Sequence, residues 1–448
     1  MPIKLDAADI VRSFKNRLRS MTFIPRQDHA DIKQQLDVLI DTQNGRKRSR
    51  PYSRPRKTEA AQALWEKLTS ASLAALTTNL RGYHELRQYF AEFIRYENLL
   101  FAVDRHHRDH VVHSIWVMLI GFYLLQKCKP LSPIAYSDLL LNRTGRTEDP
   151  VGMKSCESDI RKKEPLLWLL IALTHDLGYP IQKTKDANEL MSSMINNFGF
   201  LEQQEFKYNF TVLQNAAIEQ LLDILSSSLV FTSDTQYKIV CFKGQRLDYA
   251  KSFERLDHGI MSAYLILNYI DYICDSMNCP GDPTMLTSSK QSLNHAIIIH
   301  WLSAIAAHTT KNTYWDTPKD ISALLILADE LDEFSRYSHD QRYDRWLTLD
   351  CRTSFTCTTH SIRFQYTFPS TPKFDHLAFC KGKVAKLMNR FELDPRGIKA
   401  ISFTSTHLKP EKHLCHYQKK FPQLDGTLRI NGKPVADIHK WLTSEEST

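Results

Sequence analysis

Apolar residues recur at helical spacing over most of the chain and give way to strict alternation only near its end. Asp6 to Leu18 carries Ile10, Val11, Phe14 and Leu18, and Ala30 to Leu39 carries Ile32, Leu36 and Leu39, so both predict helices. Glu59 to about Lys127 reads as helical throughout. Ala60, Leu64, Leu68 and Leu73 form one stripe; Tyr83, Leu86, Tyr89, Phe90, Phe93 and Ile94 form another. Leu131 to Glu164 is mostly polar, holds Pro133, Gly145, Pro150 and Gly152, and is expected to be a loop or insertion. Leu166 to Ala172 predicts a buried helix that ends on His175-Asp176, with Gly178 and Pro180 as stop signals. Asn188 to Phe198 and Gln214 to Leu229 read as helices. Ser233 to Leu247 reads as irregular, with a short strand at Ile239 to Phe242. His258 to Ile273, His295 to His308 and Asp320 to Phe334 predict further helices.

After about Leu347 the pattern changes. Ser354, Thr356, Thr358, His360, Ile362, Phe364, Tyr366 and Phe368 alternate with a complementary set, which predicts one or two strands. Ala378 to Phe391 predicts an amphipathic helix and Ile398 to Thr404 a strand. Thr427 to Ile430 and Val435 fit a hairpin that turns at Asn431-Gly432. The expected fold class is mainly α with a smaller C-terminal α+β domain. Residues 1–58 form an N-terminal helical segment and basic linker, 59–348 the helical domain, and 349–448 the α+β domain.

Composition narrows the class. Hydrophobic residues make up 42% of the chain, yet no window approaches about 18 uncharged apolar residues, so no membrane-spanning helix is expected. Met1 to Ile10 carries Lys4, Asp6 and Asp9 and lacks the apolar core of a signal peptide, which points to the cytoplasm. Nine cysteines without a C-x-x-C pair suit reduced thiols rather than a disulfide framework or a thiolate zinc site. Only 14 glycines and no Gly-rich phosphate loop disfavour a dinucleotide or P-loop enzyme. The net charge of +8 is partly local, because seven of the twelve residues from Arg46 to Lys57 are basic and none is acidic. With two prolines and two serines, that run reads first as a solvated, self-repelling linker. It is also the segment best suited to a nucleic-acid backbone or an acidic partner. The sequence leaves homo-oligomerisation open.

The candidate chemistry lies in histidines and aspartates on helix ends and apolar helical faces. In chain order these are His113, His175, Asp176, His258, His308 and Asp329. A buried imidazole and carboxylate side by side are costly without a partner, and a divalent cation satisfies both. Three rivals stay open: His110 one turn before His113, His300 two turns before His308, and Asp332 one turn after Asp329.

This order resembles the HD-domain superfamily of metal-dependent phosphohydrolases. The pattern there is a first His, a His-Asp pair and a distant Asp on helices of one bundle, matched by His113, His175-Asp176 and Asp329. Two-metal variants add two histidines between the pair and the last Asp, slots that His258 and His308 fill. The likeness spans about residues 105–345. It departs from the pattern in the long gap between Asp176 and His258, which requires an insertion. The resemblance implies an HD-type helical bundle holding one or two divalent ions (Mn, Fe, Ni, Zn or Mg). Asp176 would then be catalytic as the bridging ligand, and a metal-activated water would cleave a phosphate ester, expected to be that of a small nucleotide. Lys183, Lys185, Lys311 and Arg336 are the basic residues chosen to contact substrate phosphate, with Arg105 and Arg108 as further candidates; Tyr179, Tyr314 and Trp315 are aromatic candidates to stack on a base. The alternative is a nucleotide-sensing or nucleic-acid-binding regulatory protein with a non-catalytic metal site.

Overall fold

The computed structural model describes residues 2–40, 54–76, 81–103, 109–128, 153–185, 188, 210–231, 237–241, 243–273, 289–310, 321–334, 352–368, 376–391, 393, 398–408 and 411–443. The chain opens with strand β1 (Ile3–Leu5) and helices α1 (Ala7–Arg17), α2 (His29–Ile40), α3 (Arg54–Leu76), α4 (Arg81–Val103), α5 (His110–Lys127) and α6 (Met153–Thr174). Then follow α7 (Val212–Ser226), the hairpin β2 (Ser227–Phe231) and β3 (Tyr237–Cys241), α8 (Lys243–Glu254), α9 (His258–Ile273), α10 (Ser289–Ala307) and α11 (Ile321–Leu331). No described helix is long and apolar enough to cross a membrane.

Helix α5 is the axis of the bundle. Every residue from His110 to Leu124 is buried, because α1, α3, α6 and α11 surround it. A helix apolar all round has no stable place but the interior. Its start is fixed by Asp109, whose carboxylate accepts the Val112 N–H at 3.1 Å and the Thr58 hydroxyl at 3.1 Å. Helix α6 is buried without a break from Leu166 to Leu173. Each such Leu or Ile side chain contributes about 1.5–3 kcal/mol through burial. Helices α9 and α10 pack on each other, α9 against α4 and α10 against α6, and α11 closes the set on α5 and α10.

The C-terminal region is a sheet with one covering helix: β4 (Arg352–Cys357), β5 (Ser361–Phe368), α12 (His376–Arg390), β6 (Ala400–Leu408), β7 (Glu411–Lys420), β8 (Gln423–Ile430), β9 (Lys433–Pro434) and α13 (Ile438–Thr443). The strand order is β1-β4-β5-β6-β7-β8-β9, and only β5–β6 is parallel, as the α12 crossover between them requires. Phe355, Phe364, Phe403, Tyr417 and Leu428 stand opposite one another on successive strands, and all are buried. This ladder is the sheet's core. Asn431 and Gly432 both take positive φ, 50° and 80°, which suits the two-residue turn joining β8 to β9.

The observed elements differ from the expected ones at identifiable places. Helix α3 begins at Arg54, inside the basic run, because Pro55 falls in the first turn, where its missing N–H costs nothing. The rest of that run, 46–53, lies outside the described residues, as does the expected helix at 189–198. Residues 153–164 are helical rather than loop, and Pro165 is carried inside α6. Ser227–Phe231 leaves the helix to pair with Tyr237–Cys241, and 243–247 is helical. The N-terminal segment supplies β1 as an edge strand of the C-terminal sheet, through Leu5↔Thr353 and Ile3↔Phe355, while α1 packs on α5.

Candidate metal centre

The His175-Asp176 turn is held by side chains from four helices. At a helix C-terminus the last carbonyls lack intrahelical partners. Here Trp65 of α3 donates to the Leu173 carbonyl at 2.7 Å, and Ser262 of α9 donates to the His175 carbonyl at 2.7 Å. Tyr89 of α4 donates to the Leu177 carbonyl at 2.7 Å, and Trp301 of α10 donates to the Thr174 hydroxyl at 2.9 Å. Gly178 makes the close approach possible. A Cβ there would lie 2.3 Å from the His258 carbonyl oxygen and 2.6 Å from the Met261 Cβ. The Gly178 N–H is itself bonded to Ser262 Oγ at 2.7 Å.

Around this turn the imidazoles share one orientation. His175 Nδ1 lies 2.9 Å from the Ala172 carbonyl, and His308 Nδ1 lies 2.5 Å from the Ile305 carbonyl. His258 Nδ1 lies 2.7 Å from Gln182 Oε1, an oxygen that also accepts the His258 backbone N–H. His113 Nδ1 lies 2.5 Å from Asp332 Oδ2. A carbonyl or carboxylate oxygen only accepts, so each Nδ1 carries the proton and each Nε2 presents a lone pair.

Those lone pairs converge on Asp176 in two groups, each with its donor atoms within 4.8 Å of one another: His113, His175 and Asp176, and Asp176, His258 and His308. Asp176 divides its oxygens between them. Oδ2 lies 3.3 Å from His175 Nε2 and 3.6 Å from His113 Nε2. Oδ1 lies 3.4 Å from His258 Nε2 and 3.8 Å from His308 Nε2. Asp329, half-buried, adds Oδ1 at 3.1 Å from His113 Nε2.

At His175 and His258, protons do not supply positive charge beside the Asp176 carboxylate. Burial holds the imidazole of His175 down to about 4 and that of His258 down to about 3, so both are neutral near pH 7. His258 and His308 face each other Nε2 to Nε2 at 3.2 Å, lone pair to lone pair, and the buried His175 Nε2 has no hydrogen-bond partner. Clustered acceptors around a carboxylate are the donor set of a cation, and imidazole with carboxylate suits Mn, Fe, Ni or Zn better than Mg. These buried His/Asp groups fit a divalent metal ion.

All six ligand candidates are brought together, and the rivals sort by role. His110 belongs to neither group: its Nδ1 lies 3.1 Å from Glu97 and its ring 3.6 Å from the Tyr179 ring. Asp332 orients His113 from behind rather than joining the Nε2 side. His308, not His300, belongs to the second group. Of the phosphate candidates, Lys183 places its Nζ 5.4 Å above the Tyr179 ring, and Lys185 donates to the Arg255 carbonyl at 3.4 Å. Lys311, Arg336, Arg105, Arg108, Tyr314 and Trp315 lie outside the described residues. Gln182, Ser262, Trp65, Tyr89 and Trp301 escape sequence reasoning. Only Ser262, one turn after His258, carried a positional hint.

No family model, curated protein or solved structure matches this chain.

Proposed function

We propose that the chain is a metal-dependent phosphohydrolase of the HD-domain type that cleaves a phosphate ester, with a small nucleotide as the substrate class. The observation behind this reading is the division of the Asp176 carboxylate: one oxygen faces His113 and His175, the other His258 and His308. A carboxylate so placed is suited to bridge two cations. His113, His175, Asp176 and Asp329 would hold one ion, and Asp176, His258 and His308 the other. A pair of bound divalent ions supplies a water activated at neutral pH and charge to balance phosphate oxygens.

The chain's own contribution is preorganisation. Asp332, Gln182 and the carbonyls of Ala172 and Ile305 fix the tautomer and tilt of each ring. The buried setting keeps His175 and His258 neutral, and so available as ligands, without a separate base. Lys183, whose Nζ lies 5.4 Å from the Tyr179 ring, is the basic residue we assign to substrate phosphate.

The test is metal analysis of the purified protein, then a phosphate-release screen with Mn²⁺ over cyclic nucleotides, dinucleotides and deoxynucleoside triphosphates. Bound metal and hydrolysis that disappear together in His175→Ala/Asp176→Ala support the proposal. Bound metal with no hydrolysis of any of these substrates overturns it in favour of a regulatory metal site.

A further inference from the structure

Helix α12 belongs to the C-terminal sheet, yet its basic side chains end on the two helices that carry His308 and Asp329. Arg390 Nη1 donates to the Thr310 carbonyl at 2.6 Å and to the Ala307 carbonyl at 3.3 Å, the residues flanking His308. Lys383 Nζ donates to the Glu330 carbonyl at 2.5 Å and lies 3.2 Å from its carboxylate and 3.1 Å from that of Glu333. Lys386 pairs with the same Glu330 carboxylate, and Tyr366 of β5 donates to the Glu330 carbonyl at 2.9 Å. The last turns of α11 therefore face two ways. Asp329 and Asp332 reach His113, while Glu330 and Glu333 reach the lysines of α12.

Glu330, Glu333 and Lys383 are all buried. A buried ion-pair cluster is a poor source of net stability, because desolvation consumes most of the attraction. What such a cluster does supply is geometry, since its bonds are short, charged and directional. The carbonyls that Arg390 holds lie at the last residue of α10 and three residues beyond it, where a helix leaves its carbonyls without intrahelical partners.

We infer that Lys383 and Arg390 are positioning residues for the metal centre: through Glu330 and the Ala307–Thr310 turn, the C-terminal domain sets the placement of Asp329 and His308. This rests on the metal-centre reading above. It makes the sheet domain part of the site's support rather than an appendage, and by linkage metal binding tightens the α12 contact by the same factor.

The experiment measures Mn²⁺ and Co²⁺ affinity of the full-length apoprotein by calorimetry, with the Co²⁺ visible spectrum as a readout of ligand geometry. The variants are Arg390→Ala, its conservative counterpart Arg390→Lys, and the paired Lys383→Met/Glu333→Gln, which removes the Lys383 contacts while Glu330 keeps its pairing with Lys386. Phe14→Leu, in the core where α1 packs on Phe122 of α5, controls for lost stability. The expected result is metal binding weakened about tenfold in Arg390→Ala and in the paired variant. The Co²⁺ spectrum should change with it, Arg390→Lys should recover most of the affinity, and Phe14→Leu should bind as wild type does. If Arg390→Ala does not fold, the paired variant carries the test. Affinities within twofold of wild type in both overturn the inference while leaving the metal centre intact. A wild-type chain that binds neither ion overturns the metal-centre reading itself.

Discussion

Replacing Asp332 by Asn tests the site's internal logic with a change of one atom. Asp332 is fully buried; its Oδ2 meets His113 Nδ1 at 2.5 Å and its Oδ1 accepts the Phe334 N–H at 2.9 Å. Asn has one accepting oxygen for these two donors. Either the Phe334 N–H is left unpaired, or the amide NH₂ faces His113 and forces its proton onto Nε2, the atom aimed at Asp176 and Asp329. A charged hydrogen bond of this kind contributes about 1.5–3 kcal/mol, roughly a 10- to 100-fold change in an equilibrium constant. Losing the carboxylate behind a ligating imidazole has the same scale of effect on metal affinity. Asp332→Asn is therefore expected to weaken metal binding about 10- to 100-fold, and ¹⁵N NMR should show the His113 proton moving to Nε2. Calorimetric titration with Mn²⁺ checks the affinity. Binding within twofold of wild type, with the proton still on Nδ1, would refute the tautomer argument.

Other outcomes follow from the same geometry. Gly178→Ala drives a Cβ into the His258 carbonyl and Met261, and should cost about 1–3 kcal/mol of stability by chemical denaturation along with metal affinity. Ser262→Ala strips partners from the buried Gly178 N–H and His175 carbonyl and should lower stability by about 2–4 kcal/mol, with no compensating gain on adding metal. Burial lowers the Lys57 amine from 10.5 to about 8. The unfolded chain thus holds that proton more tightly, and wild-type stability gains from this group as pH rises from 8 to 10.5. Lys57→Met should be more stable than wild type by up to about 3 kcal/mol at pH 7, and the difference should vanish by about pH 10.5. Chelation should lower the melting temperature, and Mn²⁺ at about 100 times its Kd should restore about 2.7 kcal/mol.

The long apolar stripes made the bundle legible, since α5, α6 and α9 had little but helix to form. The sheet was half legible. β5 and its hairpin with β4 alternate cleanly, whereas β7 buries only Cys415 and Tyr417 among its described side chains and reads as polar. β1 could not be read because its partner lies about 350 residues away, a pairing that no local pattern encodes. The His/Asp cluster was legible because each of its residues sits near a helix end beside an apolar run. The residues that tune them were not. Gln182, Trp65 and Tyr89 act through long-range hydrogen bonds, and nothing in their neighbours marks them. The choice between Asp329 and Asp332 needed coordinates, because one helical turn separates the carboxylate at His113 Nε2 from the one at its Nδ1.

The most direct measurement is the metal stoichiometry of the full-length chain, read by elemental analysis and, after reconstitution with Mn²⁺, by electron paramagnetic resonance. A carboxylate shared between two histidine sets predicts two ions per chain with an exchange-coupled spectrum, and loss of that coupling in Asp176→Ala. A single uncoupled ion, or none, would contradict a two-metal centre built on Asp176.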